Sequence, residues 1–177
     1  MSVLKTIHHH FIFSVLIFYF TGLSGCNSVQ KLDPEKYPAA DRTIFIHNFI
    51  NDTFHSDVNV ELTESLRTMI MRRKNFFVQK NQSDSRLMLY GQVIMYRKEG
   101  RMYDNYGEPS RYELMVMCRV KVRDGNRLIM DREFASSTDY STTEGYIEME
   151  YAARQRVYRK LTIQIASNLE LAYISSR

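Results

Sequence analysis

The sequence predicts an α+β fold: a two-layer sandwich in which a mostly antiparallel four- to five-stranded sheet carries two helices on one face. Three observations lead there. Val58, Leu62, Leu66, Met69 and Ile70, and again Ala153, Val157, Leu161, Ile165 and Leu169, recur at helical spacing, so two amphipathic helices each need a surface to cover. Between them the pattern changes to alternation. Tyr112, Leu114, Val116, Cys118, Val120 and Val122 alternate with Glu113, Met115, Met117, Arg119, Lys121 and Arg123, which gives one core face and one basic face. The resulting order, β, α, β, β, β, β, α, places both helices against the sheet. About five strands is short of the eight that a transmembrane barrel needs, so that architecture is excluded.

Taken in order, Thr43–Ile50 is β-branched and aromatic and reads as a strand, with Ile44 and Ile46 on one face and Asn48 continuing the alternation. Asn51-Asp52-Thr53 supplies turn chemistry. Ser56 or Asp57 can cap a helix that runs to about Arg73, where Arg72, Arg73 and Lys74 suit its last turn. Phe76–Gln79 is a short strand and Asn81–Ser85 a loop. Leu87–Tyr96 alternates without a clearly wet face. Arg97–Ser110 reads as a loop, and Asp124-Gly125-Asn126 as a hairpin turn into a strand from about Arg127 to Thr138. Ser141-Thr142-Thr143-Glu144 fits a capping box that opens a helix to about Tyr173.

The chain has 177 residues, 24 basic and 20 acidic side chains and two Cys. That charge is too weak to imply a nucleic-acid partner, and two Cys do not make a disulfide scaffold. Residues 1–25 stand apart: one charged residue, Lys5, then His8, His9 and His10, then an apolar run from Phe11 to Leu23. The run is shorter than the roughly 20 residues a spanning helix needs, and it suits a signal peptide. Leu23-Ser24-Gly25-Cys26 resembles the bacterial lipobox, which implies cleavage between Gly25 and Cys26 and a diacylglycerol and N-acyl chain on Cys26. Two or more acyl chains hold a protein stably on a membrane. No other cofactor is expected. The domain plan is a lipoprotein signal peptide at 1–25, a lipidated tether at 26–42 bearing Pro34 and Pro38, and an α+β domain at 43–177.

The pieces of that domain resemble the LptE family of outer-membrane lipopolysaccharide-assembly lipoproteins. Phe49-Ile50-Asn51-Asp52-Thr53 matches a strand ending Phe-x-Asn-x-Thr, and Leu62-Thr63 matches a Leu-Thr near the start of the next helix. Leu89-Tyr90-Gly91-Gln92-Val93 matches Leu-x-Gly-x-Val/Ile, Tyr112-Glu113-Leu114 opens a strand as Tyr-x-Leu, and Tyr140 precedes the last helix. The departure is Asn27-Ser28-Val29 after the lipid Cys, where many members have Gly-Tyr or Gly-Phe. The resemblance implies a non-enzymatic protein on the periplasmic side of the outer membrane. It would plug and help assemble an LptD-like β-barrel and assist lipopolysaccharide delivery to the outer leaflet.

Within residues 97–127, eight basic residues face five acidic ones. Arg97, Lys98, Arg101, Arg111, Arg119 and Lys121 are the candidates for contact with lipid A phosphates, which clustered guanidinium and ammonium groups can pair with. Tyr96, Tyr103 and Tyr106 are candidate partner-interface residues. Enzyme chemistry finds little support: His47 and His55 alone remain after processing, no H-E-x-x-H, G-x-S-x-G or P-loop motif occurs, and Cys118 alternates into the core. A rival reading is a periplasm-facing lipoprotein that activates a peptidoglycan synthase or builds a secretion pore. Its families share the opening strand and Asn-x-Thr turn.

Overall fold

The computed structural model describes residues 31–142 and 149–177; the signal segment, Gly25, Cys26, Thr143 and Glu144 lie outside them. The described elements are β1 (Thr43–Ile46), β2 (Ile50–Asn51), α1 (Val58–Arg73), β3 (Phe77–Val78), β4 (Leu87–Tyr103), β5 (Pro109–Asp124), β6 (Arg127–Ser141) and α2 (Glu150–Ser175). The sheet order is β3-β1-β4-β5-β6, with β2 pairing β4 as well.

The α+β class stands, with two corrections. The sheet has six strands rather than four to five, and it is mixed: β4, β5 and β6 form an antiparallel meander, while β1 pairs β3 and β4, and β2 pairs β4, in parallel. The parallel half follows from α1, because a helix between two adjacent strands is the crossover that parallel pairing needs. The segment Arg97–Ser110 is mostly strand. β4 and β5 pair out to Tyr103 and Pro109, leaving a turn of five residues, 104–108. In that turn the Asp104 carboxylate accepts from the Tyr106 and Glu108 amides at 2.8 and 2.9 Å, and Gly107 takes φ +82°. Alternation fails to announce this arm because solvent reaches both of its faces, so neither has to be apolar.

At the helix starts the reading also shifts. Asp57 precedes α1 as expected, but its backbone is left-handed, at φ 64°, and its side chain makes no cap hydrogen bond. Ser141 belongs to β6, and the described α2 runs from Glu150, while Thr143 and Glu144 of the expected capping box lie outside the described residues.

The core lies between the helices and one sheet face. Ile44, Ile46, Leu87, Leu89, Val93, Leu114, Val116, Cys118, Val120 and Val122 meet Leu62, Leu66, Ile70, Val157, Leu161, Ile165 and Leu169, all buried. The two helices run parallel: Arg154 near the start of α2 reaches Glu61 near the start of α1 at 3.3 Å, and Arg73 at the end of α1 reaches Glu170 at 2.8 Å.

The N-terminal residues of the family resemblance, Phe49, Asn51, Thr53, Thr63 and Gly91, form one knot. After β1 the Phe49 ring turns inward onto Gly91 of β4, where a Cβ would lie 2.2 Å from the ring. Glycine at 91 is therefore the space that Phe49 fills. The Phe49 amide donates to Thr63 Oγ1 at 3.0 Å, and Asn59 Nδ2 donates to the Phe49 carbonyl at 3.0 Å. Asn51 then folds the turn: its Oδ1 accepts from the Thr53 amide and hydroxyl, and its Nδ2 donates to the His55 carbonyl at 2.8 Å.

The expected tether also changes character part-way. Leu32 and Tyr37 are core residues. The Leu32 amide donates to Asn75 Oδ1 at 3.3 Å, Asn75 Nδ2 donates to Glu170 Oε1 at 2.8 Å, and the Tyr37 ring packs 5.6 Å from Tyr173. From Leu32 onward the chain is docked on the domain. Burying two large side chains outweighs the freedom of a polar spacer.

Candidate functional site

The helices cover only one side of the sheet. On the other side β4 and β5 place Met88, Tyr90, Gln92, Met95 and Arg97 against Arg123, Lys121, Arg119, Met117 and Met115, and no described helix covers this bare face. Strand alternation puts them there, since cross-strand partners share a face. Arg119 and Lys121 both reach Asp131 of β6: Arg119 forms two bonds, at 2.7 and 2.9 Å, and Lys121 lies at 3.8 Å. The Arg119 guanidinium holds the Asp131 carboxyl below its usual range. Toward β1 the face turns aromatic, with His47 stacked on Tyr90 at 4.3 Å and Phe45 edge-on to His47 at 4.8 Å.

The bare face continues onto the β4–β5 arm. Glu99 and Glu113 oppose each other across the strands, a repulsive arrangement unless each finds a cation. Arg97 lies 3.3 Å from Glu99 and also touches the Met115 sulfur, while Arg101 bonds Glu113 and lowers its carboxyl pKa. Arg111 is exposed and has no ion pair among the described residues. At the far end Met102, Tyr103 and Tyr106 are exposed, Tyr106 almost completely.

Two candidates fall on the other side. A register shift between Val93 and Met95 moves Tyr96 and Lys98 onto the helix-covered face, opposite Val116 and Leu114. There Tyr96 Oη donates to Glu150, Lys98 Nζ sits 2.9 Å from Glu150, and the Tyr140 hydroxyl donates to the same carboxylate at 3.3 Å. His55 Nε2 stands 3.4 Å from Glu150, and Lys98 lies 4.5 Å above the Tyr112 ring. Burial alone would raise the Glu150 carboxyl, but the hydrogen bonds from Tyr96 and Lys98 and the Lys98 charge bring it down to about 2. Tyr140 and Glu150 in turn raise the Lys98 pKa. This cluster ties β4, β6 and the β2–α1 loop to the first turn of α2, so Lys98 and Tyr96 hold the fold together where they were expected to meet ligand or partner.

The six basic candidates are thus not one patch. Arg97, Arg119 and Lys121 share the bare face, Arg101 and Arg111 lie on the arm, and Lys98, though exposed, is paired with Glu150. The sequence reading missed the partners Asp131, Glu113 and Glu150. The first is placed by a register shift between Val122 and Arg123, which sets Asp131 opposite Lys121 where the turn at Gly125-Asn126 alone would set Met130 there, and Glu150 is remote, so no local pattern points to either. His47 and His55 have separate partners, and among the described residues no three His, Cys, Asp or Glu side chains gather as metal ligands. Burial pushes the Cys118 thiol up to about 12, so it is no thiolate at neutral pH.

A family model for lipopolysaccharide assembly, LptE, matches residues 42–169, most of the chain. The chain belongs to the LptE family. The knot of Phe49, Asn51, Thr63 and Gly91 lies inside that match. Solved structures agree on the fold at low identity. Protein XCC0632 from Xanthomonas campestris aligns at TM-score 0.56 and 13% identity, over 82% of this chain and 93% of that one. The uncharacterized lipoprotein B from Nitrosomonas europaea aligns at 0.52 and 12%, over 88% and 93%. The hypothetical protein CT253 from Chlamydia trachomatis aligns at 0.50 and 8%, over 72% and 96%. No curated protein matches the chain. No described helix is long and apolar enough to cross a membrane.

Proposed function

We propose that this LptE-family chain is a non-enzymatic outer-membrane lipoprotein, anchored by acyl chains on Cys26, that plugs an LptD-like β-barrel and assists lipopolysaccharide delivery to the outer leaflet. The observation that carries this reading is the bare sheet face running into an arm tipped by exposed Tyr103 and Tyr106. A sheet with one helix layer and an uncovered face of Met, aromatic and Arg side chains has the composition of a protein interface. The basic residues that remain on that surface, Arg97, Arg101, Arg111, Arg119 and Lys121, are the lipopolysaccharide-contact candidates, and Tyr103 and Tyr106 the barrel contacts. Lys98 and Tyr96 support the reading less, because their polar groups already serve Glu150.

The test is affinity capture of the tagged chain from solubilised outer membrane. Recovery of a large β-barrel in a tight complex supports the proposal. Recovery of a peptidoglycan synthase with no barrel overturns it in favour of the rival reading.

A further inference from the structure

Away from the bare face, a groove of about 600 Å³ runs between the outer flanks of α1 and α2. Its polar lining is rich in groups that can donate, with one carboxylate, Glu64, at the rim. The walls carry the guanidinium groups of Arg72 and Arg159, the hydroxyls of Ser65 and Thr68 and the amide of Gln155. Glu64 at the rim is engaged by Arg67 of the same helix. Arg156 at the opposite rim donates to the Asp139 carbonyl at 2.9 Å, and the buried Thr162 donates to the Arg159 carbonyl at 3.1 Å.

Most cations of the helix layer are occupied. Arg67 bonds the Ile46 carbonyl and Asn48, Arg73 bonds Glu170 and Ser167, Arg154 bonds Glu61, and Lys160 bonds the Ser137 carbonyl. Arg72 and Arg159 are exposed, line one groove from two different helices, and have no side-chain hydrogen bond or ion pair among the described residues. Two such groups on one cavity repel each other unless an anion lies between them.

We propose that this groove binds a phosphate-type anion held between Arg72 and Arg159, with Ser65, Thr68 and Gln155 donating to its remaining oxygens. Guanidinium forks match phosphoryl oxygens in pairs, and the hydroxyl and amide donors supply directions that guanidinium groups leave open. The anion can come from a lipid headgroup or from a soluble phosphate; the recognition chemistry is the same. This inference does not depend on the barrel reading, because the groove lies on the helix layer and not on the bare face.

The test uses the full chain in neutral detergent. Binding of inorganic pyrophosphate is measured by calorimetry, and binding to phosphatidylcholine vesicles is compared with and without phosphatidic acid, so that the difference removes any contribution of an acyl anchor. We expect the double variant Arg72→Gln/Arg159→Gln to lose at least tenfold in affinity for whichever probe the native chain binds, and K80Q, an exposed position that belongs to neither surface, to lose none. Pyrophosphate binding points to a soluble source and vesicle discrimination alone to a headgroup. No binding of either probe by the native chain, or equal binding by the double variant, overturns the proposal. Both positions are exposed, so the variants are expected to fold.

Discussion

The two faces of the central hairpin are built from the same strands and differ in almost every respect. On the helix-covered face of β5, Leu114, Val116, Cys118, Val120 and Val122 are all fully buried. One residue along in each case, Arg119 and Lys121 stand in solvent and meet Asp131. The covered face is stabilised by area removed from water, about 25 cal/mol per Å² of apolar surface. The bare face is arranged by charge pairing between exposed groups, which solvent screens and which adds little to stability. Stability therefore belongs to one face and freedom to meet a partner to the other, and substitutions should separate them.

The sharpest break is expected at the knot. Phe49→Ala should cost about 3–5 kcal/mol, since it empties a fully enclosed site. Gly91→Val should cost about 1–3 kcal/mol or more by forcing a side chain into the Phe49 ring; chemical denaturation measures both. Glu150→Gln comes next, at about 1–3 kcal/mol, because Lys98 keeps its charge and loses its counter-ion while Tyr96 keeps only a weaker acceptor. The same variant has a pH signature. The Glu150 carboxyl sits near 2 in the folded protein against an ordinary 4.5, so its contribution is fully present above 4.5 and lost as pH falls toward 2. Acid titration of stability should flatten across that window in Glu150→Gln.

A smaller effect tests the covered face without altering it. With its thiol pKa near 12 and no exposure, Cys118 should resist alkylation in the native protein and react fully once it is unfolded. Rapid native labelling would show that β5 is not packed as described. The smallest stability change is expected on the bare face: Arg119→Gln should leave the denaturation midpoint essentially unchanged, because solvent screens its pair with Asp131. Its larger consequence, if that face meets lipopolysaccharide, is weaker ligand binding; combining it with R97Q and K121Q and finding binding unchanged would move the contact elsewhere.

Much of this was legible in the chain. The stripe Ala153, Val157, Leu161, Ile165 and Leu169 is buried throughout, and so is the alternation of β5, because both patterns record a single apolar face. Where two faces are both wet, as in β4 beyond Tyr96, the pattern carries no signal and the strand reads as a loop. The parallel pairing of β1 was equally silent, since a strand of four residues looks the same in either direction. Candidate-site residues fared according to register. Arg119 and Lys121 fell on the face their alternation gave them, but the irregularity after Val93 turned Tyr96 and Lys98 over, and the distant Glu150 that holds them has no local mark.

The parallel course of α1 and α2 has an electrostatic consequence at each end of the molecule. Side by side, their peptide dipoles add: two positive ends meet near Glu61 and Glu150, and two negative ends near Arg72, Arg73 and Arg177. Like ends repel, and the chain answers by placing carboxylates at the first and guanidinium groups at the second, with Arg154–Glu61 and Arg73–Glu170 fastening the helices at both. The field of two helix N-termini thus favours the ionised form of Glu150, the same form that gathers Tyr96, Lys98 and Tyr140.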